Sequence, residues 1–322
     1  MSEHADPRPG SHASRRSTGL GRRRRGSGKR FLVVGDVLDA VIVVADDPRI
    51  DVEPELDATI RHRPDGSGAN TAAWLGWLGV TVDFVGRTGV DDVHRHEQAL
   101  RNAGVTPHIA YDAGSATGVV VSVQTLRRRV VLSDAAAGGT TAPIDVDPLL
   151  LRDADIVHLT GTAMFGSAGP EQLQDLVHRA KTDGARVSID PSSALRVSAM
   201  GPERFLAAIA EADLILPDLA EGRALTGLVD PEAVCAALVD HVPLVVLTLG
   251  ADGVLVGRRG RRPERLAAAD VSVLDRLGVG DAFAAGFLCA WATDPVRVVA
   301  AAREGVRIAA RGLTVIGARP PV

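Results

Sequence analysis

Short apolar runs, several of them closed by glycine, recur along this chain and alternate with longer stretches of helical periodicity. Phe31–Gly35 is such a run, the pattern of a strand buried in a parallel sheet. Val41–Ala45, Ala58–His62 and Val82–Val85 read as further strands. Asn70–Leu78 reads as a helix with Trp74, Leu75 and Leu78 on one face, and Gly79 ends it; Val93–Ala103 is a second, closed by Gly104. From Ile156 onward the alternation is regular. Ile156–Leu159, Ala185–Ile189, Leu214–Leu216 and Leu244–Leu249 are predicted strands, and Pro170–Thr182, Pro202–Ala212 and Pro231–Val239 the helices between them. Two helices, Gly280–Trp291 and Val296–Arg311, finish the chain.

Strand alternating with helix implies a mostly parallel sheet covered by helices on both faces, hence an α/β fold. The early strands do not fit this alternation. Those within about 38–64 and 108–133 suit a small sheet standing beside the main one. Between Gly118–Gln124 and Val130–Ser133, the segment Thr125–Arg129 reads as a hairpin turn. Its Arg127, Arg128 and Arg129 either meet an anion or simply face solvent.

Composition refines this picture. Aromatic residues make up only 3% of the chain, so the core must be built from Ala, Val and Leu. The longest apolar runs are far too short to cross a bilayer, and a cytoplasmic protein is expected. Cys235 and Cys289 sit in apolar helical stretches and read as small buried hydrophobes. Residues 1–30 carry nine basic and two acidic residues, so this tail holds a net +7 while the remainder of a −4 chain holds −11. Its Ser/Gly/Arg composition predicts disorder, leaving a folded domain over 31–322. A solvated extension, a mis-set start and contact with nucleic acid or an anionic surface all remain open for it. A twin-arginine export signal is rejected, because Asp36 and Asp39 interrupt the required apolar region.

The chemistry concentrates in glycine-rich turns. Gly278-Val279-Gly280 leads into a helix opening at Asp281, so three backbone amides and the positive end of a helix dipole face outward. That arrangement suits a phosphate or the charge on a transferring phosphoryl group, with Asp281 at its mouth as the acceptor of a hydroxyl proton. An ordinary capping aspartate in a tight turn is the alternative. Asp65-Gly66-Ser67-Gly68-Ala69-Asn70 opens the earlier helix in the same manner, with Asn70 able to bond a polyol. Asp36 and Asp39 follow the first strand, at the end where open α/β sheets bind ligands. Leu249-Gly250-Ala251-Asp252-Gly253 follows another strand and allows close approach of a nucleotide. None of these is a Walker A sequence.

Together with Gly86-Arg87-Thr88-Gly89, Pro217-Asp218-Leu219-Ala220-Glu221 and Leu225-Thr226-Gly227, these segments resemble the ribokinase/PfkB carbohydrate kinases, from Phe31 to the C-terminus. The resemblance implies a ribokinase-like three-layer sandwich with a mostly parallel central sheet and a small β lid, which in that family often serves as a dimer interface. It implies ATP-dependent phosphorylation of a hydroxyl on a small sugar-like substrate. Asp281 would be the base and Gly278, Val279 and Gly280 the anion hole. Asp39, Gly66, Gly68 and Asn70 would hold the substrate. Asp218, Thr248, Gly250 and Gly253 would meet the nucleotide. Glu221 would act on Mg²⁺, and Asp275 matches a position serving a monovalent cation such as K⁺.

Three positions depart from the family pattern. Asp218 stands where Asn is usual, Arg276 with Leu277 replaces a Thr-containing pair, and Asp91-Asp92-Val93-His94 replaces a segment ending in Phe-Gly. His94 reads as a structural replacement. A nucleoside acceptor is the runner-up, disfavoured by the scarcity of aromatic residues to stack a base. A weakly catalytic, ligand-binding or regulatory member is the alternative of another class.

Overall fold

The computed structural model describes residues 28–45, 57–125, 129–140, 146–165 and 169–321. Residues 1–27 of the basic tail, and Arg127 and Arg128 of the arginine turn, lie outside the described residues. Lys29 and Arg30, assigned to the tail by composition, belong to the folded body. Arg30 begins the first strand and pairs with Asp83, and Lys29 pairs with Asp155.

In chain order the first elements are β1 (Arg30–Val34), β2 (Leu38–Ala45), β3 (Thr59–Asp65), α1 (Ser67–Trp77), β4 (Thr81–Gly89), α2 (Val93–Asn102) and β5 (Thr106–Asp112). Next come β6 (Thr117–Thr125), β7 (Arg129–Ala136), α3 (Pro148–Asp153), β8 (Ile156–Thr160), α4 (Gly169–Thr182) and β9 (Arg186–Asp190). They are followed by α5 (Ala194–Met200), α6 (Pro202–Ala208), β10 (Leu214–Ile215), α7 (Leu219–Thr226) and α8 (Pro231–Val239). The last are β11 (Leu244–Thr248), β12 (Val254–Arg258), β13 (Glu264–Leu266), α9 (Val279–Thr293) and α10 (Val298–Gly312).

The main sheet has nine strands in the order β13-β12-β11-β10-β9-β8-β1-β4-β5. It is parallel from β5 through β11, and β12 and β13 add an antiparallel edge. Its central strands bury both faces, and the alternation shows in the core. Phe31 and Val33 of β1 pack with Trp74 and Leu75 of α1 and Phe287 of α9. Leu32 and Val34 pack on the other side, in the cluster of Leu176 of α4 and Leu238 of α8. β11 divides its residues the same way, Val246 to one side and Val245 and Leu247 to the other. Each large side chain so buried stabilises the fold by about 1.5–3 kcal/mol.

The small sheet has the order β3-β2-β6-β7. β2 and β6 run parallel at its centre and each carries an antiparallel partner. β5, which overlaps the 108–133 stretch assigned to the small sheet, instead extends the main sheet by pairing in parallel with β4. Its alternating half-buried pattern is that of an edge strand, which sequence alone does not distinguish from a strand of a solvated sheet.

α1 begins at Ser67, three residues before the predicted start, because Gly66 at φ 103° turns the chain sharply into the helix. The turn is set by backbone packing. A Cβ on Gly68 would stand 2.6 Å from the Gly35 Cα, and one on Gly66 would stand 2.5 Å from the Asp36 carbonyl oxygen. β1 and α1 therefore meet main chain to main chain. Gly68→Ala is expected to destabilise the protein by about 1–3 kcal/mol through overpacking in urea unfolding. Gly280→Ala, where a Cβ meets nothing within 4 Å, should leave stability unchanged or raise it by up to about 1 kcal/mol through helix propensity.

Candidate active site

The carboxyl ends of β1, β8, β9 and β10 open on a cleft of about 810 Å³, lined by Asp36, Asp65, Asp190, Glu221 and Asp281 among others. Leu38, Val120 and Val131 of the small sheet form an aliphatic wall of this cleft. Asp281 lies in the first turn of α9 and is 8% exposed. Gly278, in the left-handed region at φ 68°, is the N-cap that starts this helix. A Cβ there would stand 2.3 Å from that of Ala318, so the turn is seated on the C-terminal segment. Gly280 differs: the described residues leave the space beside it open, and main chain can approach a ligand there.

Asp281 is held from α1. Ser67 Oγ donates to its Oδ1 at 2.6 Å and Asn70 Nδ2 to its Oδ2 at 2.9 Å. Asn70 is itself buried, donates to Asp65 Oδ1 at 2.6 Å, and accepts from Arg319 Nε at 3.3 Å. Ser67 also belongs to a cluster of hydroxyls at the ends of β8 and β9. Thr160 Oγ1 lies 3.1 Å from Ser67 Oγ and 2.7 Å from Ser192 Oγ. Ser192, with φ 58°, donates its amide to Asp190 Oδ1 at 2.9 Å.

The electrostatics of the cleft are dominated by buried carboxylates. Burial pushes the Asp281 pKa well above the usual carboxylate range; Asp190 and Asp65 push it further, against the hydrogen bonds from Ser67 and Asn70. Burial, and then the neighbouring Asp190 and Asp218, push Glu221 up in the same sense. Asp190 is raised to about 7, by burial first and by Asp218 and Asp36 next, against hydrogen bonds from Ser192. Such a cluster suits a divalent cation. Among the described residues no three ligating side chains converge on one point. A hard cation held by one or two carboxylates, with water and phosphate oxygens completing its shell, is the arrangement Mg²⁺ favours.

A second cavity, of about 740 Å³, adjoins the first. Thr248, Gly250 and Gly253 line it, with Ala309 and Leu313 of the α10 region behind. Asp218, Thr248, Arg276, Val279, Gly280 and Phe283 border both cavities. The start of α9 therefore stands between two compartments, one floored by carboxylates and one walled by small apolar residues.

Residues 29–322 match the sequence model of the pfkB family carbohydrate kinases. The chain belongs to the PfkB family. It is 31% identical over 256 residues to an ATP-dependent ribose-1-phosphate kinase of Halopiger xanaduensis, covering 76% of this chain and 81% of that one. Among solved structures it is similar in fold to adenosine kinase from Sinorhizobium meliloti, with a TM-score of 0.79 at 19% identity, covering 92% and 97% of the two chains. Aminoimidazole riboside kinase from Salmonella enterica, complexed with aminoimidazole riboside and an ATP analogue, gives a TM-score of 0.72 at 22% identity, covering 90% and 95%.

Gly278, Val279, Gly280, Asp281, Gly66 and Asn70 all line the first cleft of this PfkB chain. Gly68 is packed against Gly35 instead. Asp218, Thr248, Gly250 and Gly253 line the second cavity, and Glu221 the floor of the first. Asp39 stands apart. Arg95 holds it in a two-pronged ion pair at 2.7 and 2.8 Å, with His96 Nε2 at 3.4 Å, and Asp36 of the same segment lines the cleft. Burial raises the Asp39 pKa, but hydrogen bonds and charge from His96 and Arg95 outweigh it and leave it below the usual range. Asp275 accepts from the Leu277 and Gly317 amides, one on each oxygen, both at 3.0 Å.

The departures from the family pattern find places too. Asp218 caps α7 reciprocally: its carboxylate accepts from the Glu221 amide at 2.8 Å and its own amide donates to Glu221 Oε2 at 2.9 Å. Arg276 is exposed and borders both cavities, and His94 is exposed on the first turn of α2. Thr160, Asp190, Ser192 and Arg319 escaped the sequence reading, and Ser67 entered it only as part of its glycine turn. Asp190 had one available signal, an acidic residue before proline at the carboxyl end of a strand.

The raised carboxylates have a measurable consequence. Asp190 unfolded should titrate near 4 and folded near about 7. Between those values the native chain binds the extra proton, so stability from this group falls as pH rises. Asp190→Asn should therefore gain thermal stability over the parent as pH goes from about 5 to about 8 without divalent cation. His96 and His158, lowered by burial, titrate in both proteins and cancel in the difference. Added Mg²⁺ should narrow the gap at the upper pH, and a gap independent of pH would contradict this account.

Proposed function

We propose that this PfkB kinase transfers the γ-phosphoryl group of ATP to a hydroxyl of a compact sugar or sugar-like acceptor, with Asp281 as the base. The observation that carries the reading is the position of Asp281, buried behind a Gly278 turn where an acid-floored cleft meets a nucleotide-sized apolar cavity. The acceptor lies in the first cleft against Asp36, Gly66 and Asn70. The nucleotide lies in the second, against Thr248, Gly250 and Gly253. The acceptor oxygen attacks phosphorus, Asp281 takes its proton, and ADP leaves with the β–γ bridging oxygen. The amides of Gly278, Val279 and Gly280 face the charge on the transferring group.

Mg²⁺, held through Glu221 with Asp190 nearby, would neutralise phosphate charge that this acidic floor otherwise repels. Asp275 is read as a backbone staple, since each of its oxygens already holds an amide. The small sheet is read as the lid: its Leu38, Val120 and Val131 cover the acceptor cleft and exclude water from the transfer.

The scarcity of aromatic lining favours a sugar over a nucleoside, because a base would find Phe283 as the aromatic side chain among the lining residues. The similarity to a ribose-1-phosphate kinase supports a small sugar or sugar phosphate. Arg276, at the junction of the two cavities, is available to a phosphate.

The deciding experiment is ADP release from Mg-ATP with a panel of sugars, sugar acids, sugar phosphates and nucleosides. Turnover with one acceptor is expected to fall by on the order of 10²–10⁴-fold or more in Asp281→Asn. Binding without turnover across the panel would move the protein to a ligand-binding role. Gly280→Ala separates packing from chemistry: folding stays intact while kcat drops on the order of 10–10²-fold, since its Cβ occupies space next to the transferring group.

A further inference from the structure

The C-terminal segment Gly317–Arg319 touches the site at five points. The Gly317 amide donates to Asp275 Oδ2 at 3.0 Å, and Trp74 Nε1 donates to the Ala318 carbonyl at 2.9 Å. Ala318 also carries the Gly278 turn. Arg319 Nε donates to Asn70 Oδ1 at 3.3 Å, and its Nη2 donates to the Asp65 carbonyl at 3.2 Å. Trp74 and Asn70 both belong to α1, so the segment clamps that helix to the start of α9.

Asn70 is the member of this arrangement whose orientation is not fixed by shape. Its amide could be turned over with little change in volume, exchanging donor for acceptor. Chemistry decides the orientation. A guanidinium has donors and no acceptor, so only the Asn70 oxygen can face Arg319. The amide nitrogen is then directed to the opposite side, where Asp65 Oδ1 and Asp281 Oδ2 accept its two hydrogens at 2.6 and 2.9 Å. Turned over, the NH₂ would face the guanidinium, and the carbonyl oxygen would face two carboxylates.

We infer that Arg319 is a positioning residue for catalysis: it locks the Asn70 amide so that its NH₂ bridges Asp65 and Asp281 and aims the Asp281 carboxylate into the cleft. Arg319 also supplies a buried positive charge behind these acids. Burial lowers its pKa to about 10, opposed by Asp65 and Asp39, so it stays a cation at neutral pH. Among the described residues its Nη1 is buried and makes no hydrogen bond, so the hydrogen bonds of this guanidinium to protein go through Nε and Nη2 to Asn70 and Asp65. The kinetic part of this inference rests on the reading of Asp281 as base; the orientation of Asn70 does not.

The test has two arms. In the kinetic arm, Arg319→Met should lower kcat on the order of 10²-fold while the KM for the acceptor moves little. Arg319→Ala should recover turnover when guanidinium chloride is added at non-denaturing concentration, and not when ammonium or sodium chloride replaces it. Unchanged kcat in Arg319→Met, or loss in Arg319→Ala without guanidinium-specific recovery, would overturn the positioning role. Should Arg319→Met fail to fold, Arg319→Lys enters the same assays, with a smaller loss expected because the charge persists without the fixed geometry.

The second arm needs no turnover. In ¹⁵N-labelled protein the Asn70 side-chain amide protons should be shifted downfield and exchange slowly, and in Arg319→Met they should move upfield and exchange faster. An Asn70 amide indifferent to Arg319 would refute the inference whatever the kinetics. An amide that responds, in a parent protein inactive on every acceptor, would remove the kinase reading and leave the Asn70 lock standing.

Discussion

The structure is organised around the burial of one carboxylate. Taking Asp281 out of water disfavours its charged form, and the neighbouring Asp190 and Asp65 disfavour it further. A site with that balance would hold a neutral acid unless something favoured the anion. Ser67 and Asn70 each direct a hydrogen bond to it, and the first turn of α9 adds its dipole. The fold around Asp281 therefore has to deliver donors from α1 to the start of α9, across the carboxyl ends of the strands. That single demand accounts for much of the local geometry.

It explains the main-chain contact between β1 and α1. For α1 to bring Ser67 and Asn70 to Asp281, its first turn must lie against the end of β1, and any side chain on Gly35 or Gly68 would hold the two apart. The hydroxyls of Thr160 and Ser192 close the same space from β8 and β9, whose last residues Thr160 and Asp190 are register partners. On the other side the C-terminal segment holds α1 and the Gly278 turn together. Donors come from elements far apart in sequence, so the site exists only in the assembled fold.

That distance also decides what was legible beforehand. The fold class, the PfkB likeness and the glycine turns could be read locally, because a strand ending in glycine before a helix has few other meanings. Asp281 and Asn70 each opened a predicted helix beside such a turn. Arg319 could not be found this way: it is 249 residues from Asn70, and nothing in Gly317-Ala318-Arg319-Pro320 marks a site. Asp39 is a different case: the alternation of β2 turns it toward Arg95 and His96 of α2, while Asp36 of the same segment, before the strand begins, lines the cleft. β5 was misassigned for a related reason, since an edge strand of a parallel sheet is half solvated and resembles a strand of a small separate sheet.

The acidic floor bears on Asp218, which stands where the family usually has asparagine. Asparagine or aspartate caps a helix equally well, and Asp218 does so through a reciprocal bond with Glu221. What the substitution adds is one more negative charge beside Glu221 and Asp190, and both are pushed toward their neutral forms partly on its account. On the proposed reading, these carboxylates would repel a phosphate entering alone. A phosphate arriving as its magnesium complex brings the charge that all three carboxylates lack. Asp218 then sharpens the requirement for the divalent cation instead of abolishing nucleotide binding, because the more acidic the floor, the larger the difference between the bare and the metal-bound anion.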